Sequence, residues 1–142
     1  MPASAAAGLL DTSVVILLSQ LSDATVLPEV PLISTITLAE LSVGPLVARS
    51  DTERAARQAV LQQAEADFEP LPFDDRAARA FGRVAASLRT SGRTVKARSY
   101  DAMVAAIAIA NDLPLFTANA DGFAGIDGLY VRVVPSPSGT ER

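Results

Sequence analysis

Four acidic residues stand where carboxylate chemistry is possible, far apart in a chain of 142 residues: Asp11, Glu40, Asp101 and Asp121. Asp11 interrupts the otherwise almost apolar run GLLDTSVVILL. An isolated carboxylate is costly to bury unless it is paired, hydrogen-bonded or bound to a metal. Four carboxylates brought together repel one another and raise each other's pKa. A divalent cation relieves that repulsion, and an all-oxygen set suits Mg²⁺ or Mn²⁺ better than zinc. Thr12, Ser13, Thr117 and Asn119 adjoin the acids in sequence, where their polar atoms can hydrogen-bond the carboxylates.

Composition narrows the chemistry further. The chain has no histidine and no cysteine. That excludes Ser-His-Asp and Cys-His triads, histidine or thiolate zinc sites and a disulfide framework. Catalysis must use carboxylates, hydroxyls, Lys or Arg, or a metal on oxygen ligands. With 49% hydrophobic and 20% charged residues the chain reads as one globular domain, with flexible ends at about 1–7 and 135–142. The N-terminus lacks a basic leader and no apolar run is long enough to span a bilayer, so a cytoplasmic protein is expected.

The elements that must position the acids alternate between strand and helix. GLLD reads as a strand followed by the helix TSVVILLSQL, and VPLISTI as a second strand before the helix TLAELSVGPLVA. A polar helix opens with the capping pattern Ser50-x-x-Glu53. FEPLPF reads as a short strand, and Asp74 caps a helix with Ala78, Phe81, Ala85 and Leu88 on its apolar face. SYDAMVAAIAIAND is apolar nearly all round and should be buried; LPLFT and LYVRVV are further strands. This alternation predicts an α/β/α sandwich around a mainly parallel sheet. In such a sheet, strand C-termini and the following helix N-termini share one edge, where ligands bind. Asp11 ends the first strand, Glu40 falls in the first turn of the helix after the second, and Asp121 follows LPLFT. The helix carrying Asp101 reaches LPLFT through a tight turn, so it must begin at that same edge.

Taken singly, each acid has a plain structural reading. Asp11 could cap the helix after it, and Glu40 with Thr37 forms the capping-box pattern T-x-x-E. Asp101 could complement a helix dipole, and Asp121-Gly122 is an ordinary turn pair. Their joint placement at one edge is the specific signal.

LLDTS, the acid in TLAEL, YDAMVAAIAIANDLPLFT and TANADGF resemble, in order and spacing, the PIN domain, specifically the VapC-type toxins of bacterial toxin–antitoxin pairs. The resemblance spans nearly the whole chain. It implies a three-layer PIN-like fold and a Mg²⁺- or Mn²⁺-dependent endoribonuclease, usually homodimeric and inhibited by a VapB-type antitoxin. By position, Asp11, Glu40, Asp101 and Asp121 match the family's acidic set, with Asp11, Asp101 and Asp121 as metal ligands. Relatives often carry an acid immediately before the phenylalanine of the last motif, where this chain has Gly122. Leu46, Val47, Val60 and Leu61 are apolar candidates for the surface offered to partners.

The net charge of −4 disfavours indiscriminate nucleic-acid binding. Yet the stretch from Arg76 to Arg98 holds seven basic residues and no acidic one. Within it Arg93, Lys96 and Arg98 lead into the Asp101 helix and are the candidate RNA phosphate contacts. The chain contributes few aromatics for base stacking. A PIN-like module that binds RNA or an antitoxin without cleavage is the alternative reading. A phosphotransfer domain using Asp11 is disfavoured, because Asp11-Thr12-Ser13 lacks the second acid of D-x-D-x-T.

Overall fold

The computed structural model describes residues 6–137. Leu9 and Leu10 follow one another in strand β1 (Ala7–Leu10), and their side chains enter two separate cores on opposite faces of the sheet. Leu115 and Phe116 divide in the same way in β3 (Leu115–Thr117). With β2 (Val30–Leu32) and β4 (Val131–Val133) the sheet has the order β2-β1-β3-β4, and every pairing is parallel. A parallel sheet covered on both faces needs strands apolar on both sides, as LL and LF supply here.

On one face lie α4 (Asp75–Thr90) and α5 (Ser99–Ala110), around Leu9, Leu115 and Phe123. On the other, α1 (Thr12–Leu17), α2 (Thr35–Val43) and α3 (Asp51–Asp67) contribute Val14, Val15, Leu41 and Ala64 to the core of Leu10 and Phe116. The three-layer α/β/α arrangement expected from the strand–helix alternation is the one observed. In α5, Ala102 and every residue from Val104 to Ala108 are buried, because the helix is held between the sheet, α4 and α2.

Local chemistry sets the element ends, and several differ from the sequence expectation. The second strand stops at Leu32 because Ser34, not Thr37, caps α2: its Oγ accepts from the Thr37 N–H at 3.1 Å. Glu40 therefore sits in the second helical turn rather than the first. FEPLPF is not a strand; Leu71 alone bridges to the chain at Ser34, since the flanking Pro70 and Pro72 have no N–H to donate. The α4 face is rotated, with Ala77, Ala80, Val84 and Leu88 buried and Ala78 exposed. Ser50 and Asp74 cap α3 and α4 as expected. Residues 1–5 and 138–142, within the ends expected to be flexible, lie outside the described residues, while Ala7 already belongs to β1.

Candidate active site

The strand order runs outward from β1 to β2 and then returns to β3 on the other side, so the switch of direction falls between β1 and β3. Crevices at such switch points, beyond the strand C-termini, are where α/β sheets bind ligands. Asp11 follows β1 there, and Thr117 ends β3 beside it. The Asp11 N–H donates to the Phe116 carbonyl at 2.9 Å, fixing its backbone against β3. Asp11 is only 5% exposed. Its Oδ2 accepts from Ser13 Oγ at 2.8 Å and from Thr117 Oγ1 at 2.9 Å.

Asp11 occupies the N-cap position of α1 but makes no side-chain cap. Its carboxylate is turned to the two hydroxyls instead, which removes the plain capping reading. Glu40 likewise takes no part in a capping box; its Oε1 accepts from Thr12 Oγ1 at 2.6 Å. Thr12 Oγ1 also lies 2.9 Å from Thr37 Oγ1. Thr37 is fully buried three residues before Glu40, on the same helix face, and its pattern with Glu40 had pointed to a cap.

Asp101 stands in the first turn of α5, whose N-terminus is entered from a 3₁₀ turn at Lys96–Arg98. Its carboxyl pKa is pushed up to about 6, chiefly by burial, then by the charges of Asp11 and Glu40, with Arg98 opposing. Glu40 is raised by burial and, to a lesser extent, by Asp11, while the Thr12 hydrogen bond acts against the shift. Asp11 and Glu40, distant in sequence, thus lie near enough for their charges to act on Asp101. A cation placed among them would favour the ionised forms.

Asp121 behaves differently. It lies in a 3₁₀ turn, Ala120–Phe123, with its side chain exposed, and the carboxylate charges acting on Asp101 are those of Asp11 and Glu40. Asn119 enters through its main chain, the N–H donating to Thr117 Oγ1 at 2.9 Å. That hydroxyl links the last motif to Asp11.

Among the basic residues, Lys96 and Arg98 line an open cleft of about 510 Å³ together with Glu40, Ser99, Tyr100 and Asp101. Arg93 is not in its wall; its guanidinium donates to the Asp121 carbonyl at 3.1 Å and braces that turn. Arg76 is occupied at the opposite edge, donating to the Ala110 carbonyl and to Asn111 Oδ1. Tyr100, 48% exposed at the cleft, had no distinguishing signal in the sequence beyond its place before Asp101.

A second groove of about 700 Å³ leads away from Thr12 and Glu40 between α1, α2 and α3, past Ile16, Leu41 and Val60. Of the apolar candidates for a partner surface, Leu46 and Val47 are exposed, whereas Val60 and Leu61 pack partly against the core. Among the described residues no helix is long and apolar enough to cross a membrane.

Residues 8–129 match the family model of the PIN domain. The chain is 44% identical over 131 residues to Ribonuclease VapC5 of Mycobacterium tuberculosis (strain ATCC 25618 / H37Rv), covering 90% of this chain and 93% of that relative. The crystal structure of a member of the VapBC family of toxin–antitoxin systems, VapBC-5, from Mycobacterium tuberculosis matches at a TM-score of 0.78 and 40% identity, over 91% of this chain and 99% of that one. DNA-bound VapBC from Salmonella typhimurium matches at a TM-score of 0.70 and 27% identity, over 87% of this chain and 94% of that one. The chain belongs to the PIN-domain family, among its VapC-type members.

Proposed function

We propose that this chain is the toxin of a type II toxin–antitoxin pair, an endoribonuclease that cuts RNA with a divalent metal and is held inactive by a VapB-type antitoxin. The observation that carries the reading is the meeting of three acids at the sheet's switch point, where the charge of Asp11 raises both Glu40 and Asp101, beside Lys96 and Arg98. The similarity to Ribonuclease VapC5 supports the same activity. Ribonucleases of the PIN-domain family are generally divalent-metal dependent.

The donor set fits such an ion. Among the described residues no three acidic side chains stand close enough to enclose a metal by themselves. One or two carboxylates with water filling the remaining positions is the arrangement that Mg²⁺ favours, and Mn²⁺ also suits oxygen ligands. Asp11 and Asp101 would hold the ion, with Asp121 as an outer acidic residue. When bound, the metal supplies a Lewis acid for a phosphate oxygen and lowers the pKa of a water. Ser13 and Thr117 occupy one oxygen of Asp11 and fix its orientation. Glu40, held by Thr12, orients the attacking water and takes up its proton. In-line attack would form the bond from the water oxygen to phosphorus and break the P–O3′ bond, the departing 3′-oxygen taking a proton from solvent, which leaves a 5′-phosphate and a 3′-hydroxyl. Lys96 and Arg98 contact flanking phosphates, and Arg93 serves the same strand through the turn it braces. Tyr100 offers one flat face to a base.

The groove between α1, α2 and α3 opens next to Glu40, so an apolar antitoxin segment seated there would also cover the acidic site. The deciding experiment is cleavage of a mixed tRNA and ribosomal RNA pool by antitoxin-free protein in Mg²⁺, Mn²⁺ or EDTA. Metal-dependent products ending in 5′-phosphate are expected. With Asp11→Asn they should fall by about 100-fold or more while RNA binding persists. Equal RNA binding without cleavage by the parent would favour the non-cleaving module, and cleavage surviving both EDTA and Asp11→Asn would overturn the carboxylate mechanism.

A further inference from the structure

Gly122 stands where the resemblance led to an acid being expected, which invites the view that the site has simply lost a group. The packing around it indicates a different role. A Cβ built on Gly122 would lie 2.5 Å from Asp101 Oδ2 and 3.4 Å from its Cγ. The backbone does not call for glycine here, since Gly122 is absent from the positive-φ positions, which among the described residues are Gly92, Gly125, Gly128 and Asp112. Space is what the missing side chain provides, and the Asp101 carboxylate fills it.

Neither backbone can easily retreat. The Gly122 N–H donates to the Asn119 carbonyl at 3.2 Å, Arg93 grips the Asp121 carbonyl, and Phe123 is 3% exposed in the core. On the other side, Ala102, Val104 and Ala105 fix α5 in the interior. Only the short Asp101 side chain is free to yield. An ordinary C···O contact of about 3.3 Å requires its oxygen to withdraw by roughly 0.8 Å. Rotating a carboxylate costs the fold little, but ligand placement tolerates only about 0.5 Å.

We propose that Gly122 is a positioning residue: by leaving no Cβ, it lets the Asp101 carboxylate occupy the space against the Ala120–Phe123 turn, and any side chain at 122 displaces it. An acidic side chain at 122 and the present Asp101 placement are mutually exclusive in this chain. The inference rests on reading Asp101 as a metal ligand for its consequence, though not for the steric displacement itself.

The test compares Gly122→Ala and Gly122→Asp with the parent and with Gly82→Ala, where an added Cβ meets nothing within 4 Å. Two quantities are read: the Asp101 side-chain carboxyl ¹³C resonance in metal-free protein, and Mn²⁺ affinity by electron paramagnetic resonance without RNA. Gly122→Ala should move the resonance and weaken Mn²⁺ binding by about 10- to 100-fold at an unchanged melting temperature. Gly122→Asp should not bind Mn²⁺ more tightly than the parent, and Gly82→Ala should match the parent in both readouts. An unmoved resonance in Gly122→Ala, or tighter Mn²⁺ binding by Gly122→Asp, would overturn the proposal. Should Gly122→Ala lose its fold, recovery by Asp101→Ala/Gly122→Ala of the Asp101→Ala melting temperature would support the displacement; no recovery would refute it. A parent that binds no Mn²⁺ would sink the metal-dependent reading, while the resonance still decides the role of Gly122.

Discussion

Asp11 is buried yet has two hydroxyl donors on one oxygen, which leaves the other oxygen free of those contacts. Thr117→Val removes one donor while preserving shape. It should cost about 1 kcal/mol in denaturant unfolding and lower the cleavage rate more than RNA affinity, because the loss falls on carboxylate orientation. Asp101 supplies a pH prediction. Its folded-state pKa of about 6 lies above the ordinary 3.8, so between those values the metal-free folded state binds more protons than the unfolded chain. The contribution of this group to stability therefore rises as pH falls through about 6 and is complete below 3.8. Metal binding competes with the same proton, so Mn²⁺ affinity should drop as pH falls below about 6. Melting curves of metal-free protein at about pH 5 and pH 8, with Asp101→Asn as the reference lacking this titration, check the first statement. Mn²⁺ titrations over the same range check the second.

At the scale of elements, α2 and α5 carry acids to the site by different means. Ser34 caps α2, placing Thr37 and Glu40 on the face that meets Thr12. Ser34→Ala should destabilise the protein by about 1 kcal/mol, measured by denaturant unfolding, and should reduce cleavage through a loosened Glu40. Helix α5 is positioned by small residues: Ala102, Ala105, Ala106 and Ala108 let it approach its neighbours closely. Ala106→Leu overfills this contact, with an expected loss of about 1–3 kcal/mol on the same measurement. At its far end Asp112 adopts φ 55° and lets the chain turn directly into β3. That short return obliges the N-terminus of α5, with Asp101, to lie at the sheet edge that carries Asp11.

Across the whole molecule, the acidic site borders two openings of different character, one lined by Lys96, Arg98 and Tyr100 and one by apolar residues of α1, α2 and α3. On the proposed function, RNA enters from the first and the antitoxin covers the second. Ile16→Arg, on the apolar side and 48% exposed, should weaken antitoxin binding at least about tenfold in a pull-down or calorimetric titration while leaving RNA cleavage unchanged. With a net charge of −4, the proposed RNA contacts fall on the basic rim. Removing Lys96 should lower the slope of log affinity against log salt by about 0.7 for a single-stranded RNA.

Local pattern was enough for much of this protein. Successive Leu9-Leu10 and Leu115-Phe116 pairs, strand–helix alternation and the all-apolar α5 determine a covered parallel sheet, because period and burial are properties of neighbouring residues. The same pattern, combined with the ligand edge of such sheets, pointed to Asp11, Glu40, Asp101 and Asp121 together; the charges of the first two act on Asp101, while Asp121 is exposed in its turn. What sequence could not decide were choices between competing partners. Ser34 and Thr37 are both competent caps, and only the end of β2 and the meeting of Thr37 with Thr12 select Ser34. Pro70 and Pro72 limit FEPLPF to a single bridge, and packing against α5 selects Ala77 over Ala78 on α4. Arg93, Lys96 and Arg98 look alike as a basic run, yet Arg93 is drawn to the Asp121 carbonyl. The meaning of Gly122 was likewise invisible, since it resides in the distance from one absent atom to Asp101, a residue on another element. Sequence carries residue type and period; three-dimensional packing alone decides which of several willing partners a polar group meets, because that choice depends on contacts between segments far apart in the chain.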